Sequence, residues 1–382
     1  MTEERPIRGV DWTAHAVAVE WPGGTRAEFA SVWLRDNRRE DRDPHSGQRL
    51  IDVVDLPARP RIRSARLADG ALVVDWEDGT APTCYEGAWL WCHSNAAGNS
   101  AESARTPWLE GASLDAGRDF AWLDFEALRA AGAARAEWLG RLWRQGIAFV
   151  RAVPTTEDGI LRATASVGRV AETNYGAVFD VRSVPRPENL AYSDLGLGLH
   201  TDNPYRDPVP GFQALHALVT SPDGGESLFA DGLALAEHLR RIAPEDFAQL
   251  ARTPVPFHYR AAGVDLRARR PIIQLSCDDT VTAVHYNNRS IAPVPLSADA
   301  AERFYAAYRR FGTLLRYARY QLNFRLRDGD LVVFDNHRVL HGRTGFTSAR
   351  HPRHLRGCYL TRDSVQSEAA CARCAVSERG GA

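Results

Sequence analysis

The chain has 382 residues, which is room for two domains or one large one, and its apolar content is that of a globular protein. Its 47 basic and 48 acidic residues nearly cancel, so no overall field favours nucleic acid or an anionic membrane as a partner. No apolar run approaches the ~20 residues that span a bilayer, and the charged amino terminus lacks a signal-peptide core. These features predict a cytoplasmic protein.

The cysteines are sparse and scattered, which indicates reduced thiols rather than a disulfide framework. Cys84 and Cys92 with His93 leave open an alternative metal site. Cys371 and Cys374 form a CxxC pair in a short polar tail, which we interpret as a frayed terminus. The remaining cysteines are Cys277 and Cys358.

Residues 1–95 are predicted to form a small β-rich domain. Segments 16–24 and 71–80 alternate or run apolar into a glycine turn, as hairpin strands do. The polar stretch 94–106 is the best linker candidate. A second domain is predicted over residues 107–370.

The second domain is predicted to begin with a helix over 134–144, a short strand over 147–150 and a surface helix over 157–167. Many short strands with turn residues between them follow, and they indicate a jelly roll, or double-stranded β-helix. The expected fold is therefore α+β, mainly β. The predicted strands are 190–191, 197–201, 212–218, 227–230, 271–275, 280–286, 330–334 and 354–360.

Helical insertions are expected between these strands. Two are predicted over 232–241 and 244–251, and a third begins near Ser297, a plausible N-cap. The third carries apolar residues at helical spacing, which predicts one face packed against the sheets. These residues are Phe304, Tyr308, Phe311 and Leu315.

His200 and Asp202 stand two residues apart in a segment predicted as a strand. Side chains alternate across a strand, so the imidazole and the carboxylate project into the same space. Two histidines and one carboxylate form the facial triad that binds Fe(II), and His341 is the candidate second histidine. Arg353, twelve residues later, has the geometry to hold a carboxylate bidentately.

Three long phrases carry a family resemblance. The chain resembles the 2-oxoglutarate-dependent oxygenases of the taurine dioxygenase superfamily, and within it γ-butyrobetaine hydroxylase and its relatives. The likeness covers residues 143–363, and WLRDN at 33–37 resembles the small amino-terminal domain of these hydroxylases. The phrases are LGLHTDNPYRDPVPGFQALHAL, DLVVFDNHRVLHGRTGF and RHLRGCYL.

The resemblance implies a hydroxylase that uses Fe(II), 2-oxoglutarate and O2, and that forms a homodimer. It implies that His200, Asp202 and His341 bind the iron. Arg353 would hold the distal carboxylate of 2-oxoglutarate, and Ser227 matches a position whose hydroxyl assists. Halogenating relatives lack the carboxylate ligand, so Asp202 predicts hydroxylation.

In these hydroxylases, three cysteines after WLRDN bind zinc together with a later histidine. The matching positions are Arg38, Glu40 and Asp43, with His93 at the histidine. One histidine does not make a tetrahedral thiolate site, so zinc is not expected. The charged turn is predicted to be solvated, and its ion pairs could replace the metal.

The resemblance also suggests a substrate. A trimethylammonium group donates no hydrogen bonds and is bound by aromatic faces, at ~0.5–2 kcal/mol each. In γ-butyrobetaine hydroxylase, three tyrosines and a tryptophan form this cage. A guanidinium pointing inward would repel the cation, so Arg182 must turn outward or the substrate must differ. The matching positions are Tyr175, Phe179, Arg182 and Tyr192.

Two asparagines bind the substrate carboxylate in that hydroxylase. Asn189 matches the first, and Asn287 or Asn288 matches the second. Arg289 beside this pair suits a more highly charged anion, such as a phosphonate. The predicted substrate is a small zwitterionic quaternary ammonium compound, either γ-butyrobetaine or 2-(trimethylammonio)ethylphosphonate.

Three alternatives stay open from the sequence. The substrate could be trimethyllysine, or an unrelated small acid with Arg182 as an anion-binding residue. The chain could also be a catalytically inactive binding protein with a jelly-roll fold, in which the aromatic residues serve only as core.

Overall fold

The computed structural model describes residues 5–95, 105–182, 195–261, 263–346 and 353–379. Contacts between Cα atoms divide the chain into two compact units, Met1–Ala104 and Arg105–Ala382. Among the residues described, no helix is both long and apolar enough to cross a membrane. The cysteines for which the structure gives a state are free thiols, namely Cys84, Cys92, Cys277, Cys358 and Cys371.

The first unit contains two three-stranded antiparallel sheets around one apolar core. The predicted strand segments 16–24 and 71–80 are confirmed as the central strands β2 and β5. Alternate residues of these strands, such as Val17 and Val74, are buried. The elements are β1 (Gly9–Trp12), β2 (Ala16–Glu20), β3 (Arg26–Ala30), α1 (Ser31–Asp36), β4 (Ile62–Ala68), β5 (Ala71–Trp76), β6 (Thr83–Tyr85) and α2 (Gly87–Cys92).

Ion pairs centred on Asp41 hold the turn after α1. Arg35 Nη1 lies 2.6 Å from Asp41 Oδ2, and Arg38 Nη1 lies 3.0 and 3.1 Å from the two carboxylate oxygens. Both arginines are buried, so the prediction of a solvated turn is wrong at Arg38. Glu40 is exposed, and the Asp43 carboxylate accepts hydrogen bonds within its own loop.

The structure does not gather Cys84, Cys92 and His93 into a group of possible metal ligands within its described residues. Both cysteines are exposed. The His93 ring stacks on Trp89 with ring centroids 4.3 Å apart. The alternative metal site that the sequence left open therefore has no support in the geometry.

The second unit combines many strands with helices. Its strands are β7 (Ala121–Asp124), β8 (Ile147–Arg151), β9 (Val170–Ala171), β10 (Phe179–Arg182), β11 (Leu197–His200), β12 (Phe212–Val219), β13 (Ser227–Asp231), β14 (Val255–Ala261), β15 (Val264–Arg270), β16 (Ile273–Leu275), β17 (Val281–Val284), β18 (Leu322–Phe324), β19 (Leu331–Asp335), β20 (Val339–Arg343) and β21 (His354–Leu360). Its helices are α3 (Ala116–Asp119), α4 (Phe125–Arg129), α5 (Ala133–Gln145), α6 (Gly159–Thr164), α7 (Gly232–Ile242), α8 (Pro244–Arg252), α9 (Ala298–Arg316) and α10 (Arg362–Arg379).

Two sheets dominate this unit. The larger has the strand order β10-β21-β12-β19-β8-β7, with β9 beside β21, and the smaller has the order β11-β20-β13-β18. Buried side chains from both sheets form one apolar cluster, in which the rings of Phe229 and Phe334 lie 5.7 Å apart. The fold is thus mixed α/β and mainly sheet, with a core between the two sheets.

Helices cover the outer faces of these sheets. Residues of α5, α6 and α10 pack against β12 and β19, and α7, α8 and α9 form a second helical layer. Gly146 ends α5 in a left-handed conformation with φ of 78°, which favours glycine. Asp231 caps α7 by accepting hydrogen bonds from Leu233 N and Ala234 N.

Most predicted elements are confirmed, with shifts of a few residues at their ends. The predicted helix 157–167 is shorter, and it buries Ile160 and Ala163 rather than lying on the surface. The tail is not frayed, because α10 continues to Arg379 and buries Val365 and Ala369. The predicted strand 190–191 lies outside the described residues.

Candidate active site

Three potential metal ligands meet at one end of the smaller sheet. His200 ends β11, and its partner across the ladder is His341 in the neighbouring strand β20. Asp202 lies just beyond the end of β11. One ligand atom from each of the three side chains lies within 4.8 Å of the other two. Within the described residues, no other set of three His, Cys, Asp or Glu side chains comes this close.

Hydrogen bonds orient these ligands. His200 Nδ1 donates to the Gly198 carbonyl at 2.9 Å, which turns Nε2 toward Asp202 Oδ1 at 3.2 Å. The Asp202 backbone N–H donates to Asn336 Oδ1 at 2.7 Å, and Asn336 Nδ2 donates back to the Asp202 carbonyl at 3.0 Å. The Tyr359 hydroxyl donates to Asp202 Oδ2 at 2.7 Å.

The electrostatic surroundings favour the protonation states that a metal requires. Burial raises the pKa of the Asp202 carboxyl, but His341, His200 and the hydrogen bond from Tyr359 together lower it by more than burial raises it. This pKa therefore lies below its ordinary value. Burial and the neighbouring His200 lower the pKa of His341 to about 3. At neutral pH the carboxylate is therefore charged and the His341 imidazole is neutral.

A buried arginine lines the cavity beside this group. Arg353 is 7% exposed, and no ion pair joins it to any residue that the structure describes. Burial and the nearby Arg343 lower its pKa to about 10, so it still carries its charge at neutral pH. Ser227 lines the same cavity. A buried charge without a partner is costly, which indicates an anionic ligand.

Gly225 has a close neighbour in this arginine. An added Cβ at Gly225 would lie 2.9 Å from Arg353 Cδ, and the residue has a φ of +69°. The absence of a Cβ at this glycine therefore leaves room for the Arg353 side chain.

An aromatic wall lines the cavity opposite the smaller sheet. Tyr175, Phe179 and Tyr359 line it, with ring centroids 6.2 Å apart for Tyr175 and Phe179 and 5.2 Å apart for Phe179 and Tyr359. Tyr205 and Tyr259 stack at 5.0 Å behind Tyr175. Three aromatic faces around one space can hold a quaternary ammonium group.

The structure corrects the predicted membership of this wall. Arg182 is exposed and does not line the cavity, because it lies on the opposite face of β10 from Val181. Tyr359, which the spacing argument missed, lines the cavity instead. The predicted wall residue Tyr192 lies outside the described residues, and so does Asn189.

The residues predicted to bind the acid head of the substrate differ in their surroundings. The Asn287 side chain is already hydrogen-bonded to the backbone, because Nδ2 donates to the Thr201 carbonyl at 3.0 Å and Oδ1 accepts from Arg289 N. Asn288 is exposed and lines a second cavity rather than the first. Arg289 lines both cavities. The geometry therefore favours Arg289 over either asparagine as the group that meets an anion here.

Comparisons with known proteins agree with this geometry. Residues 110–359 match the model of the family described as "Taurine catabolism dioxygenase TauD, TfdA family". The chain belongs to this family. Its chemistry is that of Fe(II)- and 2-oxoglutarate-dependent dioxygenases, so the chain is an enzyme of that kind, with O2 as cosubstrate. The group formed by His200, Asp202 and His341 fits the iron.

Curated relatives align over nearly the whole chain. The γ-butyrobetaine dioxygenase of Pseudomonas sp. (strain AK-1) is 35% identical, over 95% of this chain and 95% of its own length. The dioxygenase str8 of Strobilurus tenacellus is 31% identical, over 88% and 83%. The mitochondrial trimethyllysine dioxygenase of Rattus norvegicus is 31% identical, over 94% and 86%.

Proposed function

We propose that the enzyme hydroxylates a small zwitterionic quaternary ammonium compound. One observation carries the proposal: a single cavity is lined by the His-Asp-His group, by an aromatic wall and by a buried arginine that has no ion-pair partner among the described residues. These three features match the needs of iron, of a dicarboxylate and of a cation without hydrogen-bond donors. The names of two of its relatives, γ-butyrobetaine dioxygenase and trimethyllysine dioxygenase, support a trimethylammonium substrate.

In this proposal His200, Asp202 and His341 would hold the iron. Bound iron would supply the oxidation of 2-oxoglutarate by O2 to succinate and CO2, with one oxygen atom entering succinate and the other a substrate C–H bond. The guanidinium of Arg353 binds the distal carboxylate of 2-oxoglutarate, and the Ser227 hydroxyl adds a hydrogen bond. The presence of the Asp202 carboxylate favours hydroxylation over halogenation.

The substrate is oriented by its two ends. Tyr175, Phe179 and Tyr359 face the cation, each contributing ~0.5–2 kcal/mol. Arg289 faces the acid head, because it lines the same cavity as the aromatic wall. An arginine suits a doubly charged phosphonate at least as well as a carboxylate. The substrate is therefore γ-butyrobetaine or 2-(trimethylammonio)ethylphosphonate.

Three further features belong to the proposal. The two facing sheets form a double-stranded β-helix, which the core between them supports. The resemblance to γ-butyrobetaine hydroxylase supports a homodimer, which light scattering after size exclusion would test. A cytoplasmic location is supported by the free cysteines among the described residues, which a reducing compartment maintains.

The test is succinate formation by the Fe(II)-loaded protein with 2-oxoglutarate. γ-Butyrobetaine, 2-(trimethylammonio)ethylphosphonate and trimethyllysine are assayed in parallel, each beside its primary-amine analogue. We expect stimulation by a quaternary compound and little by its amine. No stimulation by any of the three, with iron bound, would refute the substrate class.

The iron ligands are tested separately. We expect His200→Ala and Asp202→Ala to lose bound iron and iron-dependent turnover while keeping the circular dichroism spectrum of the parent. Turnover by either variant at the parent rate would show that the ligand assignment is wrong.

A further inference from the structure

Tyr359 belongs to the aromatic wall and to the metal group at once. It lies near the end of β21, where its ring packs against Phe179 at 5.2 Å with an interplanar angle of 36°. Its hydroxyl donates to Asp202 Oδ2 at 2.7 Å. One rigid side chain therefore reaches from the proposed cation seat, which is the space beside the aromatic wall of Tyr175, Phe179 and Tyr359, to a proposed iron ligand.

The hydrogen bond restrains the orientation of the Asp202 carboxylate. With Oδ2 held by Tyr359, Asp202 Oδ1 lies 3.2 Å from His200 Nε2 and Oδ2 lies 3.8 Å from His341 Nε2. Within the described part of the chain, Tyr359 is the side chain outside the proposed metal ligands that hydrogen-bonds this carboxylate. Asn336 secures the Asp202 backbone from the other side through two hydrogen bonds. The Tyr359 phenol therefore restrains rotation of the carboxylate.

The nature of the acceptor makes this a strong bond. The Tyr359 hydroxyl donates at 2.7 Å to a carboxylate oxygen in a buried site. Hydrogen bonds to charged acceptors are roughly twice as strong as neutral ones.

We propose that Tyr359 is a positioning residue for the reaction: its hydroxyl holds Asp202 in the orientation that binds iron, while its ring forms part of the cation seat. The proposal rests on the proposed function for the identity of the cation. It adds a physical link between substrate and metal. Binding of the quaternary ammonium group against the ring restrains the side chain, and the hydroxyl transmits that restraint to Asp202.

Linkage gives this proposal a quantitative form. If the substrate strengthens iron binding by some factor, iron must strengthen substrate binding by the same factor. We expect such a factor in the parent enzyme and its loss in Tyr359→Phe, which keeps the ring and removes the hydroxyl. The dissociation constant of the ammonium substrate should therefore rise by that factor in Tyr359→Phe at saturating iron, and it should change less than twofold in the iron-free protein.

The deciding experiment is anaerobic equilibrium dialysis of the full chain against Fe(II), without substrate, followed by metal analysis. We expect Tyr359→Phe to bind iron about 10-fold more weakly than the parent, the typical effect of removing a group that orients a ligand. Tyr175→Phe is the matched control, because it removes a hydroxyl from the same wall that bonds Tyr205 rather than Asp202. It should leave iron affinity unchanged.

The outcomes separate this proposal from the proposed function. Parent-like iron affinity in Tyr359→Phe would overturn it, as would an equal loss in Tyr175→Phe. A variant that binds iron normally but loses ammonium binding would also overturn it. Failure of the parent itself to bind iron would instead refute the metal site. Failure of every quaternary compound to stimulate turnover would refute the substrate class and leave the dialysis result standing.

Discussion

Asp41→Asn is predicted to destabilise the amino-terminal unit strongly, because it removes the charge that two buried arginines share. The side chains of Arg35 and Arg38 are only 10% and 7% exposed, and Asp41 contacts both, at 2.6 Å and 3.0 Å. Arg38 Nε also donates to the fully buried Thr83, so the guanidinium cannot turn to solvent without breaking that bond.

The magnitude follows from the cost of leaving buried charges unpaired. Breaking a buried ion pair by removing one partner costs 3–5 kcal/mol. Asp78 and Glu40 lie 3.9 and 3.8 Å from Arg35 and Arg38 and compensate in part. We therefore expect a loss of about 3 kcal/mol in the free energy of unfolding of this unit.

The control is Asp11→Asn, which breaks a pair of the same kind at the surface. Its side chain is 77% exposed and that of its partner Arg26 is 53% exposed. Exposed pairs contribute about 0–1 kcal/mol, so this variant should unfold close to the parent.

The assay is urea unfolding of the full chain, followed by tryptophan fluorescence. Urea is chosen because guanidinium chloride would screen the ion pairs. The amino-terminal unit is rich in the reporter, with Trp12, Trp21, Trp33, Trp76, Trp89 and Trp91. Equal effects of the two substitutions would refute the reasoning. So would a loss of stability in this unit on adding a zinc chelator, which would mean that a metal and not the ion pairs holds the turn.

Three other predictions concern the second unit. An alanine Cβ at Gly357 would lie 2.5 Å from Phe179 Cζ. Gly357→Ala should therefore displace that ring and raise the Michaelis constant for the ammonium substrate about 3- to 30-fold. An unchanged Michaelis constant in succinate assays would contradict this. Arg353→Lys should raise the Michaelis constant for 2-oxoglutarate at least about 10-fold through loss of bidentate bonding, whereas a parent value would exclude Arg353 from cosubstrate binding. Burial lowers the pKa of His216 to about 4, below its ordinary value. The unfolded chain therefore binds a proton here that the folded chain does not, and the free energy of unfolding falls from about pH 6.5 toward pH 4 by up to about 1.4 kcal/mol per pH unit. His216→Leu should flatten that fall in urea unfolding measured across this pH range, and an unchanged pH dependence would refute the prediction.

The group of possible metal ligands was predictable because it depends on the spacing of His200 and Asp202 and on the sequence motif that contains His341. His200 and Asp202 are close in sequence, and their convergence needs only the extended backbone at the end of β11. The two hydrogen bonds from Asn336 to the Asp202 backbone were not predictable in this way. Asn336 is 134 residues distant, and nothing in its local sequence distinguishes an amide that bonds a remote backbone from one that faces water.

The aromatic wall shows a signal that was present in the sequence and not used. Arg353, which directly precedes β21, and Tyr359 within it are six residues apart, an even spacing that puts both on one face of an extended chain. Phe179 and Arg182 are three residues apart along β10, an odd spacing that puts them on opposite faces. Parity therefore favoured Tyr359 and excluded Arg182, whereas matching positions by spacing alone chose the arginine.

The prediction of a solvated turn around Asp41 failed for a different reason. A run of alternating charges near Arg38 has the composition of a solvated loop, and burial of its arginines depends on Thr83 in β6, which is 45 residues away. Composition measures how easily a segment can be solvated, but not which surface packs against it. Arg38 connects this turn to β6, because its guanidinium donates to both Asp41 and Thr83. Arg38→Cys would remove both contacts at once, so we expect it to destabilise the unit in urea unfolding, and parent-like stability would show that these bonds do not hold the turn.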